Sequence, residues 1–164
     1  MVADPLCGES AYPDDRREVK GLLRIGVIGL GNMGSAHADT LARGGVEGGV
    51  LAAVCDPDPE KLERARERYG ERVKRFRDAE EMMASGEIDG VVIATPHYSH
   101  PPLAIRAFAR GLHVLIEKPA GVYTKQVREM NEAAEQAGTV FAIMYNQRTN
   151  PLYRKLRDLV ESGE

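Results

Sequence analysis

The sequence has 164 residues, with 22 basic and 25 acidic side chains and a formal net charge of −3. Hydrophobic residues make up 43% and charged residues 29%, the balance of one ordinary folded domain and not of a disordered chain. The mild acidity excludes a dedicated binder of nucleic acid or of an anionic membrane surface; no apolar run approaches the roughly 18 residues of a membrane-spanning helix, and two cysteines, Cys7 and Cys55, are too few for a disulfide framework.

Residues 1–20 carry turn formers (Pro5, Gly8, Ser10, Pro13), mixed charge and no apolar period, and are expected to form a mobile leader outside the core. With Asp4, Glu9, Asp14 and Asp15 and no apolar stretch, that segment does not read as a secretory signal, so a cytoplasmic location is expected. From Leu22 the pattern alternates. Leu23 to Ile28 is an apolar run bounded by glycine, hence a buried strand, and a helix follows from about Met33 to Arg43. Val50 to Cys55 is a second strand. Pro59 to Tyr69 is a helix with Asp58 as its cap and Leu62, Ala65 and Tyr69 on one face. Its charges suit a solvated face with pairs such as Glu60–Arg64.

Val73 to Phe76 reads as a charged edge strand, and Asp78 with Glu81 has capping-box spacing for a short helix through Met82 and Met83. Val91 to Ala94 is a strand buried on both faces. Pro101 to Arg110 is a helix, Val114 to Ile116 a strand, Thr124 to Gln136 a helix and Val140 to Met144 the sixth strand. Asn150 caps a last helix, with Pro151 at its first position and Leu152, Leu156, Leu159 and Val160 on one stripe. Six strands alternating with six helices imply an α/β fold: a doubly wound parallel sheet in the order 3-2-1-4-5-6 with helices on both faces.

The first strand runs into Gly29-Leu30-Gly31-Asn32-Met33-Gly34, a G-x-G-x-x-G turn opening a helix. Gly29 permits the tight turn, Gly31 lets main chain approach a pyrophosphate, and Gly34 lets the helix pack on the strand. The N–H groups at the helix start then face the diphosphate. Asp56 ends the second strand, 22 residues after Gly34, at the offset of a carboxylate that binds the adenosine ribose hydroxyls. A carboxylate repels a 2′-phosphate, and Pro57 rather than a basic residue follows it, so NAD is favoured over NADP. S-adenosylmethionine and FAD are the competing ligands: Ile28 stands where methyltransferases usually carry an acid, and FAD chains normally run far longer.

Three more strand ends carry polar residues: Ala94-Thr95-Pro96-His97-Tyr98-Ser99-His100 after the fourth, Glu117-Lys118-Pro119 after the fifth and Tyr145-Asn146-Gln147-Arg148 after the sixth. Ligands of open α/β sheets bind at such carboxyl ends, although polar loops are ordinary there. His37 reads as a packing or solvated residue and His113 as structural. His97 and His100 lack a nearby cysteine cluster, so no metal site is expected.

GVIGLGNMG with Asp56, then ATPHYSH, then HVLIEKPAG, in this order, resembles the Gfo/Idh/MocA oxidoreductases (the glucose–fructose oxidoreductase and inositol dehydrogenase type) over about residues 22–164. The Glu-Lys-Pro turn is the most specific part of the match. The resemblance implies an NAD(P)-binding Rossmann domain over residues 21–164, hydride transfer to or from a sugar, cyclitol or related polyol, and a second, larger α/β domain that this sequence does not contain. It implies that Gly29, Leu30, Gly31, Asn32, Met33 and Gly34 hold the pyrophosphate and that Asp56 binds the ribose. Thr95, Pro96, His97 and His100 would line the cofactor groove, and Glu117 would position the nicotinamide half. Lys118 would touch the reacting oxygen, where an ammonium can steady developing negative charge. Asn146 and Arg148 are candidates to reach substrate.

On this reading the chain alone binds a dinucleotide but does not turn over a polyol, and the full-length form is a homo-oligomer. The alternative is a stand-alone, non-catalytic module that binds a dinucleotide or a partner.

Overall fold

The computed structural model describes residues 21–163; the leader expected over residues 1–20 lies outside the described residues. Six parallel strands form one sheet: β1 (Leu23–Ile28), β2 (Gly49–Cys55), β3 (Lys74–Phe76), β4 (Gly90–Ile93), β5 (His113–Ile116) and β6 (Phe141–Ile143), in the order β3-β2-β1-β4-β5-β6. Between and after them run α1 (Asn32–Ala42), α2 (Pro59–Tyr69), α3 (Ala79–Ala84), α4 (His100–Phe108), α5 (Thr124–Ala137) and α6 (Pro151–Ser162). Element types and sheet order agree with the sequence reading, with ends shifted by one or two residues. Two short 3-10 turns, His97–Ser99 and Asn146–Arg148, were not legible from periodicity.

The capping residues act as their spacing suggested. The Asp58 carboxylate accepts from Glu60 N–H, Asp78 from the N–H groups of Glu80 and Glu81, and Asn150 from Leu152 N–H. Each such cap is worth about 1 kcal/mol. On α2 the ion pairs differ from expectation. Arg66 binds Glu63 and Glu71, and Arg68 reaches Asp39 on α1, whereas no Glu60–Arg64 pair occurs among the described residues.

The sheet separates two apolar layers, because strands buried on both faces need helices on both faces. One layer joins Val27, Leu51 and Val54 to Ala38 and Leu41 of α1 and to Leu62, Ala65 and Tyr69 of α2. The other joins Ile28, Ala53, Ile93 and Ile116 to Met82, Leu103, Phe108 and Met130 of α3, α4 and α5. Each large apolar side chain so buried contributes about 1.5–3 kcal/mol. Cys55 is among them, and burial pushes its thiol up to about 12, so it serves as packing and not as a nucleophile.

The last helix departs from its pattern. Its apolar stripe exists, but Leu152 is 80% exposed and Val160 73%, and no α6 residue is buried. The helix rests chiefly on the turn that precedes it, not on the sheet.

Candidate functional site

The main-chain ladder continues past the strands and aligns their carboxyl ends. Gly29 N–H donates to Cys55 O, Ala94 N–H to Ile28 O, Glu117 N–H to Ile93 O and Met144 N–H to Ile116 O. The glycine turn, the Thr95–His100 segment and the Glu-Lys-Pro turn are therefore brought side by side on one edge, although 61 to 90 residues of chain separate Gly29 and Gly34 from them.

The three glycines hold different positions in that edge. Gly29 has φ +91°, which side chains with a Cβ avoid, and a Cβ there would meet Ala94 O at 2.9 Å. Gly34 packs α1 directly on the turn: a Cβ would lie 1.7 Å from Gly29 O. Gly31 faces open space, with nothing within 4 Å of a Cβ built on it. Gly31 is also the N-cap of α1, yet no side chain caps that helix and its first turn carries no acid. Main-chain N–H groups at a helix start, with open space before them and no internal anion, suit a phosphate. Asn32 and Met33 are exposed beside them, and Leu30 is buried beneath.

Asp56 lies at the end of β2 with its side chain 5% exposed. Its Oδ2 accepts from Leu30 N–H at 2.7 Å and from Lys61 Nζ at 3.0 Å, and its Oδ1 from Asp58 N–H at 3.0 Å. Burial pushes the carboxyl up, but the two main-chain donors and the ammonium outweigh it and hold the group below the ordinary carboxylate range. Lys61 is not singled out by the sequence. A five-residue offset places it in the first turn of α2, beside the carboxylate. A cleft of ≈ 600 Å³ opens there between α1 and α2, from Gly31 and Asn32 past Lys61 and Arg64.

On the other side of the glycine turn lie β4 and β5. Thr95 is half-buried, and its Oγ1 is fully enclosed without a hydrogen-bond partner. Pro96 and His97 are exposed at the edge. His100 differs from expectation: it is fully buried, not on the groove, with Nδ1 2.9 Å from Pro119 O and Nε2 2.8 Å from Thr95 O. Its ring ties the β4 segment to the Glu-Lys-Pro turn. Its side chain points inward because position one of α4 faces the core, a fact invisible while the segment is read as a loop.

Glu117 is buried too. Its Oε1 lies 2.7 Å from His37 Nε2, and its Oε2 accepts from Lys118 N–H at 3.1 Å. His37, read from sequence as packing or solvated, is thus a member of the site, one turn after Gly34. Lys118 is exposed, and its peptide bond to Pro119 is cis. Asn146 and Arg148 are exposed on the turn after β6, with the Arg148 guanidinium 5.7 Å from the Tyr145 ring centroid. His113 is structural, as expected, with Nδ1 accepting from Val140 N–H. Among the described residues no cluster of three metal-ligating side chains occurs, and no helix is long and apolar enough to cross a membrane.

A dinucleotide fits these observations. Gly31 leaves room for a diphosphate, the first-turn N–H groups lack a cap, and Thr95 Oγ1 lacks a partner. The sheet order and the glycine turn define a Rossmann domain of the dinucleotide-binding kind. Residues 23–145 match the model of the GFO_IDH_MocA oxidoreductase family, NAD-binding Rossmann fold, and the chain belongs to that family.

Among its relatives is the rhizopine catabolism protein MocA of Rhizobium meliloti, 36% identical over 85% of this chain and 43% of that protein. Inositol 2-dehydrogenase 4 of Saccharopolyspora erythraea is 36% identical over 86% of this chain and 41% of its own length. The structure of scyllo-inositol dehydrogenase from Lactobacillus casei with bound NAD(H) and scyllo-inositol superposes with a TM-score of 0.80 at 28% identity, over 87% of this chain and 42% of that one. The WlbA dehydrogenase of Bordetella pertussis in complex with NADH and UDP-GlcNAcA gives 0.79 at 30%, again over 87% and 42%. The chain therefore spans about two fifths of the length of these relatives.

Proposed function

We propose that this chain is the NAD-binding half of a cytoplasmic oxidoreductase that moves a hydride to or from a cyclitol, sugar or related polyol, with substrate contacts completed by residues beyond it. The observation that carries the proposal is the open cradle at Gly31, flanked by one buried carboxylate on each side, Asp56 and Glu117.

In this reading the N–H groups of Gly31, Asn32 and Met33 hold the pyrophosphate, above Leu30, whose N–H is given to Asp56. Asp56 takes the adenosine ribose hydroxyls, for which Lys61 has to give up part of its hold on Oδ2. Thr95, Pro96 and His97 line the path of the other half, with Thr95 Oγ1 gaining the partner it lacks. His100 supports that path from beneath. The nicotinamide supplies the hydride chemistry when bound. Lys118, exposed at the same edge, donates to the reacting oxygen and stabilises its developing charge. Asn146 and Arg148 orient substrate hydroxyls from the turn after β6. NAD is preferred to NADP because Asp56 opposes a 2′-phosphate, and the whole protein assembles as a homo-oligomer.

Titration with NADH, followed by its fluorescence, tests the binding step. Saturable binding of one NADH per chain, weakened at least tenfold by Asp56→Ala, is the expected result; no saturable binding refutes the proposal. In a form that carries a substrate domain, Lys118→Ala is expected to abolish turnover while NADH still binds. Unchanged turnover would remove Lys118 from its role.

A further inference from the structure

Among the described residues, the buried polar or charged side chains are Asp56, His100 and Glu117. Two of them are carboxylates, and they stand on opposite sides of the glycine turn. Asp56 follows β2, in the half of the sheet formed by β1, β2 and β3. Glu117 follows β5, in the half formed by β4, β5 and β6. A dinucleotide lies across this kind of sheet with its diphosphate at the first helix and one mononucleotide over each half. If Asp56 serves the adenosine half, Glu117 serves the half that carries the redox ring. The two halves make unlike demands. The adenosine ribose is always neutral, whereas the nicotinamide ring is a cation when oxidised and neutral when reduced.

Glu117 is built as a fixed charge. Its side chain is 7% exposed. Oε2 accepts the main-chain N–H of Lys118, which can only donate, and Oε1 meets His37 Nε2 at 2.7 Å. The two contacts pin the carboxylate between α1 and the strand-five turn, with 80 residues of sequence between the partners. His37 is one turn past Gly34, where a Cβ would run into Gly29 O and Ala94 Cβ, so its absence seats α1 against the ends of both β1 and β4. Pinning needs that seat. Beside the pair, Lys118 belongs to the same turn as Glu117, and buried His100 ties that turn to the segment after β4 through Pro119 O and Thr95 O.

We infer that Glu117, held by His37, sets the redox preference of the bound cofactor: a buried, immobile carboxylate on the nicotinamide side favours NAD+ over NADH, and His37 is the positioning residue that keeps it there. The inference rests on the dinucleotide reading above. A unit charge pair in a partly buried site is worth a factor of about ten or more in affinity, and only the oxidised ring carries the partner charge. Glu117→Gln keeps the shape and both contacts but removes the charge. It is expected to lower the ratio of NAD+ to NADH affinity about tenfold, which raises the midpoint potential of the bound two-electron couple by about 30 mV.

The experiment measures dissociation constants of NAD+, NADH and ADP-ribose for the 164-residue chain, at one pH and ionic strength, by calorimetry. ADP-ribose lacks the ring, so its affinity is expected to be the same in wild type and Glu117→Gln. His37→Ala is expected to lower the NAD+ to NADH ratio toward that of Glu117→Gln, because the carboxylate loses its anchor. His37→Gln, whose amide reaches the place of the ring Nε2, is expected to restore the ratio. A merely structural role for either residue would weaken all three ligands alike and leave the ratio unchanged, and that result overturns the inference. So does binding of both cofactors with an unaltered ratio in Glu117→Gln. Failure of the wild-type chain to bind any of the three overturns the dinucleotide reading itself.

Discussion

A methyl group added at Gly34 would lie 1.7 Å from the carbonyl oxygen of Gly29, 2.9 Å from its carbonyl carbon and 3.3 Å from Ala94 Cβ. The first two obstacles are main chain, held in the β1 ladder by the bond from Gly29 N–H to Cys55 O. To clear the oxygen, α1 has to retreat by at least about 1.3 Å, which lifts Ala38 and Leu41 off Val27 and Leu51. Overpacking commonly costs about 1–3 kcal/mol, and an obstacle that cannot rotate away puts Gly34→Ala at about 3 kcal/mol or more. For a domain of this size that is a fall in Tm of about 6–12 °C.

Gly31→Ala makes the opposite case. Its backbone, φ −79° and ψ −168°, is extended and open to any residue, and nothing lies within 4 Å of the new methyl group. Loss of a tolerated glycine cap and gain from a stiffer unfolded chain nearly cancel, so stability changes by no more than about 1 kcal/mol. The methyl group nevertheless fills the space before the α1 N–H groups, and NADH affinity is expected to fall at least about tenfold, 1.4 kcal/mol. Thermal denaturation and NADH titration on both variants make the check. Wild-type NADH affinity in a folded Gly31→Ala would refute the cradle, and a wild-type Tm in Gly34→Ala would refute the close approach of α1 to the turn.

Two further predictions concern Asp56. Because its carboxyl is held below the ordinary range in the folded chain, the unfolded chain binds a proton more readily; the group therefore stabilises the fold above pH about 4 and loses that contribution as pH falls through its lower folded value. Asp56→Asn is expected to cost about 1–2 kcal/mol at pH 7 and progressively less below pH 4, as read by urea denaturation; an equal cost at pH 7 and pH 3 would contradict the sign. Asp56→Ser removes the charge that opposes a 2′-phosphate and leaves Lys61 and Arg64 on the cleft wall, so the ratio of NADPH to NADH affinity is expected to rise about tenfold or more. Adding Lys61→Ala should reverse the gain, and a ratio indifferent to Lys61 would remove it from the adenosine side.

Much of this protein follows from short-range pattern. Apolar runs of four to seven residues bounded by glycine mark strands buried on both faces, and such strands joined by helices leave few arrangements besides the doubly wound sheet. The caps at Asp58, Asp78 and Asn150 and the spacing of Gly29, Gly31 and Gly34 are equally local, since each acts on main chain within a few residues of itself. The Glu-Lys-Pro turn was legible as a family likeness, not as physics.

Other features needed the assembled sheet. Sequence periodicity records that one face of α6 is apolar but not what covers it, and here Leu152, Leu156 and Val160 stay exposed. His100 reads as a loop residue until α4 begins beneath it and its ring is enclosed between Thr95 O and Pro119 O. Lys61 and Asp56 are five residues apart, but their pairing depends on the angle at which α2 leaves the sheet edge. His37 and Glu117 are 80 residues apart and meet only because β4 pairs with β1 and β5 with β4, which carries the strand-five turn under the second turn of α1. A one-dimensional pattern specifies which groups want burial or a partner; which partner each one finds is decided by the strand ends that the sheet sets side by side.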